Sequence, residues 1–299
     1  MRLAEKIMPR LVRATIKPIF NPRIPIPLQR RWLELTSRSM LAPRSCRYEA
    51  STLGGRPAEC VRAPGPLNRN VLLYLHGGAY CLGSPRTHRS VTGRLAQLTG
   101  ATVWVPDYRL APEHPYPAPL QDALAAYRAL LDHGVAPQRI ALGGDSAGGH
   151  LALSLLLALR EAGLPQPAAA VLLSPWTDAA LDGPSVAEVG PRDPMLNLAW
   201  SRACGVMFRG DIAVDDPRVH LLGADLQGLA PLRIEVGSEE ILLSDAERLA
   251  QAAEAAGVEV SYRRWDGMWH VFQVHGGLLR AADESLAGIA GWLKERWVR

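Results

Sequence analysis

From residue 47 to the end of the chain, short apolar runs alternate with longer segments whose apolar positions recur every three or four residues. Residues 71–75 and 101–105 are continuous apolar runs flanked by turn residues, which suits strands buried on both faces of a parallel sheet. Further strands are predicted over residues 47–52, 58–63, 140–143, 169–173, 232–236 and 258–265. Helical spacing falls between them, over 88–98, 120–132, 149–162, 245–256 and 277–297. This alternation predicts an α/β fold with helices on both faces of a mostly parallel sheet. Residues 180–217 break the rhythm: they hold Pro, Asp, Trp and Met without a clear strand and read as an insertion.

The first forty residues follow a different pattern. Leu3, Ile7 and Leu11 recur at helical spacing beside a basic stripe of Arg2, Lys6, Arg10, Arg13 and Lys17. The spacing predicts an amphipathic helix, and packing of its apolar stripe on the protein is favoured over contact with an anionic lipid surface. Pro18, Pro22, Pro25 and Pro27 end it, and a second helix is predicted over 28–41.

Composition narrows the function classes. With 299 residues, 48% hydrophobic and 21% charged, the chain can bury a full core and is neither disordered nor fibrous. It has no apolar run long enough to span a bilayer. The net charge of +4 is uneven: residues 1–31 carry eight basic side chains against Glu5, so the body is mildly acidic and shows no nucleic-acid footprint. Four dispersed cysteines without a CxxC pair predict reduced thiols and a cytoplasmic location.

The candidate chemistry begins at Gly144-Asp145-Ser146-Ala147-Gly148, a Gly-x-Ser-x-Gly pattern between an apolar run and an Ala/Leu-rich helix. A strand-to-helix turn this sharp holds Ser146 in a strained conformation, with glycines on both sides allowing close backbone approach. A serine hydroxyl needs a base to become a nucleophile. Of the histidines after Ser146, His270 lies in the loop between the last strand and last helix, where a catalytic side chain should project. His275 is predicted at the start of that helix, His220 comes too early to leave room for an acid, and His150 reads as structural. The acid belongs in the loop Gly237-Ser238-Glu239-Glu240, where local chemistry does not separate Glu239 from Glu240. Directly after the 71–75 strand comes His76-Gly77-Gly78-Ala79-Tyr80. The amides of Gly77 and Gly78, with that of Ala147, would form a three-donor oxyanion hole.

With His76-Gly77-Gly78-Ala79-Tyr80, the serine motif and the long stretch from Asp107-Tyr108-Arg109-Leu110 to Tyr116-Pro117-Ala118, the chain resembles the hormone-sensitive-lipase-like family of α/β-hydrolases from about residue 47 onward. The resemblance implies an eight-stranded sheet over residues 46–179 and 218–299, with a helical cap from residues 1–45 and 180–217. It places the acid at Glu240, a departure from the commoner Asp, and Ala79 stands where many members have a third glycine. The implied activity is hydrolysis of small-molecule carboxylic esters through an acyl-enzyme on Ser146, with His270 as base and no metal or organic cofactor. Tyr80, Leu196, Trp200, Met207, Phe208 and Trp269 are candidate pocket residues for short- to medium-chain esters. A lactonase, an amidase or a small-molecule deacetylase would use the same groups. The rival of another class is a non-catalytic ligand receptor on the same fold; some plant relatives bind a hormone and have lost the catalytic histidine, whereas every triad position is filled here. Oligomeric state, homo-oligomers included, is left open.

Overall fold

The computed structural model describes residues 3–66 and 68–297, with side chains omitted at Leu3 and Ala4. Arg2 and the Leu3 side chain of the predicted N-terminal stripes therefore lie outside the described residues. Eight strands form one sheet in the order β1-β2-β4-β3-β5-β6-β7-β8. They are β1 (Arg47–Leu53), β2 (Arg56–Arg62), β3 (Val71–Leu75), β4 (Thr102–Pro106), β5 (Ile140–Asp145), β6 (Ala169–Leu173), β7 (Leu232–Gly237) and β8 (Val260–Trp265). The pairs β1–β2 and β2–β4 are antiparallel, and every other pair is parallel. All eight predicted strands are present, β3 and β6 with the predicted ends and the others with ends shifted by at most two residues.

Period-two alternation splits the core. Leu73 and Leu75 of β3 join one apolar cluster, and Leu72 and Tyr74 join the other. The first face carries α4 (Ala118–Asp132), α5 (Ala147–Glu161) and α8 (Leu243–Ala255), and the second carries α3 (Arg89–Thr99) and α9 (Arg280–Arg296). After β3 the chain places β4 on one side and then returns to place β5 on the other. The carboxyl ends of β3 and β5 therefore flank a topological switch point, where loops diverge and leave a crevice.

The N-terminal helices α1 (Leu3–Thr15) and α2 (Ile26–Ser37) meet the 180–217 insertion, which contains α6 (Pro184–Glu188) and α7 (Leu198–Arg209). Arg13 donates to the Arg192 carbonyl and Lys17 to the Asp193 carbonyl. Phe20 stacks on Trp200 with ring centroids 4.1 Å apart, and the Trp200 indole N–H donates to the buried Gln29 amide oxygen at 2.7 Å. The predicted apolar stripe of α1 is corrected here. Val12 and Ile16 are the buried residues, whereas Ile7 and Leu11 face solvent. The packed face is rotated by one residue because Val12, Ile16 and Phe20 together reach the insertion and the cavity beneath it.

Candidate active site

Ser146 occupies the turn between β5 and α5 with φ 54° and ψ −121°, a strained conformation for a residue with a side chain. Its flanking glycines have no substitute: a Cβ on Gly144 would lie 2.2 Å from the Gly148 carbonyl oxygen, and one on Gly148 would lie 2.0 Å from that of Leu75. Close packing of α5 against β3 and β5 thus forces the serine up at the strand ends. Among the described residues its hydroxyl makes no hydrogen bond and is left to the cavity that it lines with His270. Catalytic hydrogen bonds of this kind often tighten only when substrate is present.

His270 follows β8, and its Nδ1 lies 2.6 Å from Oε2 of Glu240 in the loop after β7. Both are buried. The other Glu240 oxygen accepts from the Ser174 hydroxyl at 2.7 Å and the Gly237 amide at 2.8 Å. Burial acts to lower the His270 pKa, but the adjacent Glu240 carboxylate outweighs it and the net shift is upward from 6.5. Glu239 points elsewhere and pairs with Arg192 at 2.6 Å on the surface. Ser174, with φ 46° at the end of β6, has no sequence motif to announce it; only its position at a strand's carboxyl end does.

The predicted donor set is also corrected. The Gly77 amide donates to Asp145 Oδ1 at 3.1 Å and is therefore already committed. That carboxylate also accepts from the Tyr74 hydroxyl at 2.8 Å and faces His88 Nε2 at 3.3 Å. Burial acts to raise the Asp145 pKa, yet His88 and Tyr74 hold it below its ordinary value, and Asp145 in turn draws the His88 pKa up against its own burial. The amides of Gly78, Ala79 and Ala147 have no acceptor among the described residues. Ala79 has φ 52°, so the loop turns without the third glycine. Tyr108 supports the loop from below: its hydroxyl donates to the His76 carbonyl at 2.6 Å and its ring stacks on His76 at 4.3 Å. Arg109 is held by the Asp122 carboxylate, and the Ala111 amide donates to the Tyr80 carbonyl at 2.9 Å. The long 107–118 stretch thus shapes the wall beneath the site.

The cavity encloses about 980 Å³, open solvent at its mouth included. Gly77, Gly78, Ala79, Asp145, Ser146 and His270 line its floor. Val12, Ile16, Phe20, Leu33, Leu196 and Trp200 also line it, as do Met40, His88, Val274 and His275. Leu196 and Trp200 are where the sequence expectation put them. Tyr80 and Phe208 are not: their rings stack at 3.6 Å and line a separate small cavity with His150. Met207 packs near Cys81, and Trp269 is buried against His275; neither lines either of these two cavities. Large apolar residues near a motif are core as often as pocket, and only packing separates them. His150 is structural, with Nδ1 2.6 Å from the Tyr80 hydroxyl and Nε2 3.0 Å from the Val219 carbonyl. His275 lies in a short 3-10 turn, Phe272–His275, before α9 and not at the helix start.

Known proteins share this fold. The sequence profile of the alpha/beta hydrolase fold matches residues 72–274. An esterase from the bacterial hormone-sensitive lipase family superposes with a TM-score of 0.95 at 40% identity, covering 100% of this chain and 99% of that one. The chain belongs to the hormone-sensitive-lipase-like esterases of the α/β-hydrolase fold. This esterase is 47% identical over 224 residues to an acetyl-hydrolase of Streptomyces hygroscopicus, covering 74% of each chain. It is 38% identical over 240 residues to an esterase of Acinetobacter venetianus, covering 80% of this chain and 78% of the relative. Among the described residues no helix of the esterase is long and apolar enough to cross a membrane.

Proposed function

We propose that Ser146, His270 and Glu240 form the catalytic triad of this carboxylic ester hydrolase, with the amides of Gly78, Ala79 and Ala147 as its oxyanion hole. The observation that carries the reading is the buried 2.6 Å contact of His270 Nδ1 with Glu240, beside a serine held in a strained turn on the same cavity. With Nδ1–H donated to Glu240, the free lone pair of His270 lies on Nε2. That atom takes the Ser146 proton as Oγ attacks the ester carbonyl. The carbonyl oxygen gains charge and is stabilised by the three free amides. Collapse of the tetrahedral intermediate expels the alcohol, which receives its proton from His270. The same histidine then activates water to cleave the acyl-enzyme and regenerate Ser146.

Residues 1–45 and 180–217 act as one cap that sets substrate size. The Phe20–Trp200 stack closes one apolar wall and favours short to medium acyl chains. The acetyl-hydrolase name of one relative supports a small acyl group. A fluorophosphonate probe is expected to label wild type and not Ser146→Ala. A p-nitrophenyl ester series should then show turnover falling for acyl groups beyond about twelve carbons. Labelling retained in Ser146→Ala, or preference for the longest chains, would overturn the corresponding part of the reading.

A further inference from the structure

The helices α1 and α2 face two ways. Val12 on α1, Ile16 in the turn that follows it, and Leu33, Thr36 and Ser37 on α2 line the catalytic cavity. Their other faces are bare. Ile7 and Leu11 are 46% and 50% exposed, and Leu28, Trp32 and Leu35 are 53%, 37% and 54% exposed. These are half of the ten large apolar side chains exposed among the described residues, so they are not a random scatter. The two stripes adjoin. Ile7, Leu11 and Thr15 follow at four-residue steps along α1, and the Trp32 indole N–H donates to the Thr15 carbonyl at 2.8 Å.

Charge identifies the occupant. Lys6 and Arg10 are exposed beside Ile7 and Leu11, and Arg31 and Arg38 are exposed one helical turn on either side of Leu35. None of these four cations has an ion-pair partner among the described residues. A second copy of the chain would bring two cationic rims together, whereas an anionic bilayer neutralises them while taking up the apolar stripes. We propose that this α1–α2 face docks on an anionic lipid surface, with the five apolar side chains in the headgroup boundary and the four cations against lipid head groups. Two joined stripes with cations on their flanks make a stronger anchor than one amphipathic helix, and binding should be reversible and salt-sensitive.

The test is co-sedimentation of the full chain with phosphatidylcholine vesicles that contain or lack phosphatidylglycerol. The esterase should pellet with the anionic vesicles only and be released by high salt. The Lys6→Gln/Arg10→Gln variant should bind at least about tenfold more weakly. Ile7→Ser/Leu11→Ser should lose binding while hydrolysis of a soluble ester, which uses none of these four residues, stays at the wild-type rate and reports an intact fold. Binding indifferent to lipid charge, or no binding by the active wild-type chain, would overturn the proposal. So would a dimer seen by light scattering that Ile7→Ser/Leu11→Ser disperses in the absence of vesicle binding, which assigns the face to a second copy.

Discussion

Two adjacent glutamates with the same chemistry have opposite fates. Glu240 gives one oxygen to His270 and the other to Ser174 and Gly237, all out of water, while Glu239 pairs with Arg192 in solvent. A surface pair of that kind contributes little, and a buried carboxylate orienting an imidazole contributes much. Glu240→Gln is therefore expected to lower kcat by about three to four orders of magnitude, and Glu239→Gln to leave it within about twofold. Steady-state kinetics on one soluble ester separates the two; equal losses would count against the assignment. Family resemblance singled out Glu240, but neighbouring residues of one type do not announce which of them turns inward. The same limit explains Gly77. Two consecutive glycines look alike as amide donors until Asp145 is seen to occupy one of them.

At the scale of elements, the strands were legible because continuous burial leaves an unbroken apolar run, and the helices because one-sided burial leaves a period. The cap was less legible. Along α1 and the turn after it, both Leu3, Ile7, Leu11 and Val12, Ile16 follow helical steps, and the face that packs is decided by partners far away in the chain, Trp200 among them. Tyr80 and Phe208 satisfy each other by stacking and so leave the pocket to smaller or more distant residues. Trp200 joins three elements: it stacks on Phe20, holds Gln29 and lines the cavity. Trp200→Ala should cost about 3–5 kcal/mol of stability and move the optimum of the p-nitrophenyl ester series to longer acyl chains. An unchanged chain-length optimum in the folded variant would remove Trp200 from the pocket wall.

The whole molecule responds to acid through its buried histidines. Burial lowers the pKa of His150 and His275 to about 4, and burial followed by His88 lowers that of His76 to about 3. Above pH 6.5 these side chains are neutral whether the chain is folded or not. Below it the unfolded chain takes up protons that the folded chain refuses, so stability drains as pH falls toward 4. His88 and His270, shifted upward, act in the opposite direction. A single replacement isolates one contribution. Among the described residues His275 has no hydrogen-bond partner for Nδ1, so His275→Phe removes a titration with little lost bonding. Between pH 6.5 and 5 the variant should lose roughly 1–2 kcal/mol less than wild type, read from urea unfolding at the two pH values. Parallel losses would show that His275 is not held neutral.

Val12, Ile16 and Phe20 reach the cavity from the N-terminal segment, whereas Ser146, Glu240 and His270 sit on loops at the carboxyl ends of β5, β7 and β8. On the proposed reading, ester-cleaving chemistry belongs to the sheet and selection by size to the elements laid over it. Exchanging Val12, Ile16 or Phe20 for other apolar residues should alter which molecules are accepted more than whether any are cut.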